Sequence, residues 1–300
     1  MSTPNFEDAY PLSPMQQGML FHSVYAPESG TYVTQVSCRL EEIDPEVFAA
    51  AWQKVADRHA ILRTAFVWKK TEQPLQVVGR RVKLPVERLD WRGLGAAARE
   101  SALQDLLAAD RARGFEPSRA PLMRLTLADL GELGYQLVWS HHHLLLDGWS
   151  VPILLGEVFS FYEAYRAGRE PEAPPPIPYG DYIRWLERQD LAAAEGFWKR
   201  LLAGFAEPTP LPFDRFPGPG GEEPRPEEGS LALSRETTRR LQELTRRAQV
   251  TLSSVIQGAW AILLSRCSGR RDVVYGATVS GRPEDLDGSE RMIGLFINTL

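Results

Sequence analysis

"WSHHHLLLDGWS", residues 139–150, sets three of the chain's five histidines side by side and follows them with an aspartate and a glycine. Together with the preceding residues it forms "YQLVWSHHH" (135–143), which reads as a strand. "PLMRLTLADL" (121–130) and the Gly-bearing turn at 131–134 complete a predicted hairpin. If the strand runs through the histidines, side chains alternate, so His141 and His143 share one face and His142 takes the other. Three consecutive strand positions do not converge on one metal ion. His22 and His59 stand alone in the sequence, so no metal is expected. The apolar surroundings argue against a chance surface cluster. They favour a partly buried imidazole that stays neutral near pH 7 and can accept or donate a proton. Asp147 lies four residues past His143. A carboxylate in that setting needs a cation or backbone N–H partners, and its expected work is to pin the turn that aims His143. Gly148 is expected to permit a tight backbone path, and Ser150 to cap the helix that follows.

Working outward, "SPMQQGMLFHSV" (13–24) has Ser13 and Pro14 at the favoured N-cap and N1 positions of a helix. "TYVTQVSCRL" (31–40) predicts a strand, and Asp44–Pro45 opens a second helix over 44–59. "ILRTAFVW" (61–68) and "PLQVVG" (74–79) read as short strands, and "AAARESALQDLLAADRARGF" (96–115) as an amphipathic helix. "SVPILLGEVFSFYEAYRAG" (150–168) is a further helix. Five prolines in "REPEAPPPIP" (169–178) exclude a helix or central strand, so the domain boundary is placed there. Residues 1–168 form one predicted lobe and 179–300 another. The second contains an aromatic helix over 179–204, a Pro/Gly/Glu-rich loop at about 206–228 expected to be mobile, and a strand at 229–234. Two helices, the strand "DVVYGATVSG" (272–281) and "MIGLFINTL" (292–300) complete it. Leu300 ends an apolar, strand-like run, which suggests a fragment of something longer.

The 300 residues are 43% hydrophobic and 24% charged, which describes a globular chain with ample core material. The net charge of −5 offers no nucleic-acid footprint. The densest basic cluster, Arg239, Arg240, Arg246 and Arg247, sits beside Glu236 and Glu243 in a helical pattern and reads as a solvated face. Cys38 and Cys267 lie in apolar-periodic segments without CxxC spacing and are expected to be buried thiols in a reducing compartment. No export signal and no apolar run of bilayer length is visible, so a cytoplasmic location without a membrane is expected.

"HHLLLDG" (142–148) resembles the HHxxxDG signature of condensation domains from nonribosomal peptide synthetases. Four more motifs of that family follow its order. "LSPMQQGMLF" (12–21) resembles the first, "RHAILRTAF" (58–66) the second, "YGDYIRW" (179–185) the fourth and "IGLFINT" (293–299) the fifth. The family's last motifs, about a third of its domain, have no counterpart here. The resemblance implies an α/β (α+β) fold of two chloramphenicol acetyltransferase-like lobes in a V arrangement, the second lobe incomplete. It implies peptide-bond formation between a donor thioester and an acceptor amine, both delivered on phosphopantetheine arms by donor and acceptor carrier proteins. No cofactor is bound directly, and an adenylation domain is the expected neighbour.

On that resemblance His143 orients the amine or takes its proton, and Gly148 leaves room near the reacting centre with its N–H towards an oxyanion. His142 is structural. Asp147 is expected to pair with Arg63 in preference to Arg58. Asn298 and Tyr182 match motifs and are candidates for the substrate tunnel or for packing, while Trp149 and Trp185 are assigned to the core. The first motif distinguishes the chain from an epimerisation domain, and the histidines distinguish it from a cyclising relative, which would carry aspartates. A coenzyme A-dependent acyltransferase and a non-catalytic docking module for carrier proteins are the other readings. The wording of the motifs is most similar to domains that accept a D-configured donor.

Overall fold

The computed structural model of the chain describes residues 6–26, 29–211 and 229–300. Most of the loop expected at 206–228 lies outside the described residues. By packing, the chain divides into Met1–Gln189 with Thr278–Leu300, and Asp190–Ala277.

The first unit is built on a sheet of order β2-β7-β6-β5, with β2 Val33–Leu40, β5 Val86–Asp90, β6 Met123–Asp129 and β7 Tyr135–His142. The hairpin read from the sequence is β6 and β7, antiparallel with Met123 opposite His141, and β2 runs antiparallel to β7 with Val33 opposite His142. Strand β5 is short and charged, without a clear strand pattern in its sequence; it pairs in parallel with β6. A second sheet, β1-β4-β3, joins β1 Phe6–Pro11 to β3 Thr64–Val67 and β4 Leu75–Gly79.

Alternation along β7 decides which helix meets which face. Trp139 points to α2 (Pro45–Arg58), where its ring lies 4.9 Å from that of Trp52. Phe48 of α2 in turn packs on Phe159 and Tyr162 of α4 (Ser150–Arg166). Ser140, on the other face, donates to Asp110 of α3 (Ala96–Arg113) at 2.5 Å. Asp110 also binds Arg124 of β6 and Gln35 of β2, so one buried carboxylate ties a helix to three strands. Helix α1 (Pro14–Tyr25) begins with the anticipated cap, completed as a capping box by Ser13 and Gln16.

The Pro-rich segment 169–178 holds no helix or strand, but it does not coincide with the division in packing. The predicted aromatic helix is two helices: α5 (Tyr179–Glu187) in the first unit and α6 (Leu191–Leu201) in the second. Asp190 separates them because its carboxylate accepts from Ala193 N at 2.9 Å and starts a new helix. Tyr179 explains the membership of α5, since its hydroxyl donates to Leu295 O at 2.6 Å within the first unit.

The second unit contains α6, α7 (Arg235–Ala248) and α8 (Leu252–Ser268). The strand expected at 229–234 is absent: those residues are irregular, Leu231 is exposed, and Ser234 caps α7. Of the two terminal strands anticipated, only β8 (Thr278–Val279) and β9 (Asn298–Thr299) pair, both within the first unit. Cys38 is exposed on edge strand β2 and Cys267 is half-buried, which corrects the expectation of two buried thiols. Arg239 of α7 pairs with Glu236 and Glu243 on an exposed face, as the charge pattern implied.

Burial would raise the Asp110 pKa, but hydrogen bonds from Arg124, Ser140 and Gln35 outweigh it and hold the carboxyl below its usual range. Its contribution to stability is therefore complete above the unfolded value of about 3.9 and is lost as pH falls through the lower folded value. Asp110→Asn should lower stability at neutral pH and make its loss on the acid side of about pH 4 shallower, as measured by denaturant unfolding across pH.

Candidate active site

Strand β7 ends at His142, one residue before His143. His143 N still reaches Tyr32 O at 2.8 Å, and Leu145 N then donates to His142 O at 3.0 Å, which turns the chain. Each histidine consequently has its own surroundings. His141 is buried with its ring centroid 4.8 Å from that of Trp139. His142 is buried between Tyr32 and Phe115; its Nδ1 accepts from Leu144 N at 3.1 Å and its Nε2 lies 3.2 Å from Ser23 Oγ. Burial, reinforced by neighbouring histidine charge, pushes both pKa values down to about 4, so these two rings are neutral at physiological pH. His143 is only half-buried, and its Nδ1 is buried without a hydrogen-bond partner.

Asp147 is fully enclosed and its two oxygens are used differently. Oδ1 accepts from Ser150 N at 2.8 Å and lies 3.4 Å from Arg282 Nη2; Oδ2 accepts from Phe296 N at 3.0 Å. The Asp147 amide donates to Gly294 O at 3.1 Å, while Ser150 Oγ accepts from Gly294 N and Arg282. Arg282 also donates to Ser289 O and Met292 O, and its guanidinium lies 4.0 Å from the Phe296 ring centroid. The segment 282–296 is thus laced to the histidine turn through one carboxylate.

Arg63 does not contribute to this arrangement, contrary to expectation. It is buried beside Glu7, to which it donates at 2.8 Å, and it bonds Gly79 O across the other sheet. Arg58 ends α2 as read, and with His59 it binds Glu157, the imidazole at 2.5 Å. Arg282 supplies the cation instead. Its signal in the sequence was a lone arginine in "SGRP", 135 positions from Asp147, which no local pattern could connect.

Three further corrections concern the turn. Gly148 has no positive φ, so its backbone path does not demand glycine, and a Cβ placed on it would meet nothing within 4 Å. Ser150 is the first residue of α4; the cap on its N–H is Asp147, which the Ser150 hydroxyl also bonds, together with Gly294 and Arg282. Trp149 is 54% exposed, with its indole N–H on Glu290 O, and is no core residue. Trp185 is partly buried and bonds Asp285. Tyr182 is buried 4.5 Å from the Phe296 ring, and burial raises its pKa to about 12. Asn298 is exposed on β9.

Among the described residues no group of three or more His, Cys, Asp or Glu is placed to hold a metal ion. No single helix among them is long and apolar enough to cross a membrane. A cavity of about 200 Å³ lined by Tyr10, His59, Arg63, Tyr179 and Ile293 shares no residue with the histidine turn.

The site is thus an imidazole on a strand-to-helix turn of a mixed α/β fold, braced by a buried Asp–Arg pair. A family model for the condensation domain matches residues 6–300. A linear gramicidin synthase of Brevibacillus parabrevis is 50% identical over 99% of the chain, and bacitracin synthase 1 of Bacillus licheniformis is 37% identical over 98%. The chain spans only 4% and 6% of their lengths. Among solved structures, the X-domain complex with OxyB from teicoplanin biosynthesis gives a TM-score of 0.81 at 27% identity, covering 100% of this chain and 65% of that one. The first condensation domain of the calcium-dependent antibiotic synthetase gives 0.79 at 21% identity, covering 98% and 69%, a likeness of fold. The chain belongs to the condensation domain family of nonribosomal peptide synthetases.

Removing one member of a buried ion pair leaves the other uncompensated, at a cost of about 3–5 kcal/mol. Arg282→Ala and Asp147→Ala should each lower the unfolding free energy by that order and fail to add in the double variant. Arg63→Ala combined with Asp147→Ala should be additive, because the two residues share no partner.

Proposed function

We propose that this condensation domain catalyses attack of a carrier-tethered acceptor amine on a carrier-tethered donor thioester. The N–C bond forms, the C–S bond breaks, and the amine proton passes to the departing thiolate, directly or through an intervening group. The donor is peptidyl or aminoacyl. Both groups arrive on phosphopantetheine arms of donor and acceptor carrier proteins, next to an adenylation domain, in the cytoplasm.

The observation that carries this reading is the contrast among three adjacent histidines. Two are buried, packed against aromatic rings; His143 alone is half-buried, on a turn whose next glycine faces open space. That arrangement supports His143 as the catalytic residue that orients the amine or accepts its proton. It also supports Gly148 as the residue whose missing side chain leaves room for the reacting groups, its N–H facing the oxyanion. The catalytic demand is light. An α-amine has a pKa of about 7.7–8.0, so part of it is nucleophilic at neutral pH, and a thioester is already an activated acyl group. Much of the acceleration then comes from holding two arms end to end. Asp147 and His142 act structurally. Asn298, exposed at the end of β9, is kept as a channel residue, while Tyr182 acts by packing beneath Phe296.

In the intact protein that contains this sequence, supplied with loaded carriers, His143→Ala should reduce amide formation by about 10²–10⁴-fold without a change in melting. Gly148→Ala should fold normally, since its Cβ meets open space, yet lose at least about tenfold in turnover. Wild-type turnover in folded His143→Ala would refute the assignment. Binding of carriers without any product from the wild type would mark a docking module.

A further inference from the structure

Ser23 belongs to α1, far in sequence from the histidine turn, yet its hydroxyl lies 3.2 Å from His142 Nε2. The polarity of the hydrogen bonds around that ring can be worked out. Leu144 N–H can only donate, so His142 Nδ1 is an acceptor. Because burial keeps the ring neutral, its single proton sits on Nε2 and is donated to Ser23 Oγ. Ser23 in turn donates its hydroxyl hydrogen bond to Met19 O at 2.7 Å, within α1. Each hydrogen has one acceptor, and the opposite tautomer would set an imidazole N–H against the Leu144 N–H.

His143 differs from its neighbours in having no comparable restraint on its ring. His141 packs against the Trp139 ring, and His142 is bonded through both nitrogens. His143 is tied through its backbone N–H to Tyr32 O, and its Nδ1 is unpartnered. The direction of its ring is therefore set by the backbone of the turn, which His142 holds from one side through Leu144. We infer that Ser23 is a positioning residue for His143, acting through His142; this rests on the condensation reading above. Without the Ser23 hydroxyl, His142 Nε2–H is left buried and unpaired, the ring turns to find a partner, Leu144 N–H loses its acceptor, and the turn relaxes. A displacement of about 1 Å at a reacting group can lower a rate by about 10²-fold.

The test compares Ser23→Ala and Ser23→Thr with the wild type in the intact protein carrying donor and acceptor carriers loaded with aminoacyl-phosphopantetheine. Ser23→Ala should lower kcat for amide formation about tenfold or more with KM for the loaded acceptor carrier unchanged, and Ser23→Thr, which keeps the hydroxyl, should restore it. Imidazole ¹⁵N spectra should show the Nε2–H tautomer of His142 in the wild type and a shift of the His143 signals in Ser23→Ala. Turnover of Ser23→Ala within about twofold of wild type, or His143 signals that do not move, would overturn the inference. A melting temperature depressed enough to unfold Ser23→Ala would do so too, by assigning Ser23 to the core. If the wild type forms no amide, the functional reading fails, and the spectra still decide whether Ser23 governs His143.

Discussion

A carboxylate with almost no exposed surface must be neutralised or hydrogen-bonded, and Asp147 is both. Its oxygens take one cation, Arg282, two backbone N–H groups, those of Ser150 and Phe296, and the Ser150 hydroxyl. These partners come from the start of α4 and from a segment near residue 300, so a single buried charge defines where three pieces of chain meet. Water cannot substitute for them once the site is closed, which is why the penalty for losing any one is high.

Within that frame, three identical side chains acquire three roles. His141 is enclosed against Trp139 in the α2-facing core, and His142 is locked between α1 and the turn. Both are held neutral by burial, so neither titrates near physiological pH. His143 sits one residue past the end of the strand and is half-buried.

Much of the architecture is legible in local chemistry. Ser13 with Gln16, Asp44 with Pro45, and the glycines at 131 and 134 mark helix starts and a hairpin because caps and turns depend on residues a few positions apart. Strands such as β5 and β1 escape that kind of reading, since their short, charged segments are stabilised by partners distant in sequence. The anticipated strand at 229–234 has the composition of a strand but no partner within the described residues, and it remains irregular. Asp190 shows the converse: a single capping carboxylate divides what periodicity alone would make one helix.

The amino-acid sequence by itself determined the family through five ordered motifs, and it singled out His143, Asp147 and Gly148 as a unit, because the order and spacing of those residue types are properties of the chain alone. Only tertiary structure decided which arginine answers Asp147. Arg63 and Arg282 are equally cationic, but Arg63 is taken up by Glu7 and Gly79 across the β1-β4-β3 sheet, whereas Arg282 is carried beneath Phe296 to the turn. Tertiary structure likewise gave Gly148 its open space and His142 its contact with Ser23. Charge complementarity names the kind of partner a buried group needs, but proximity in the folded chain chooses among the candidates.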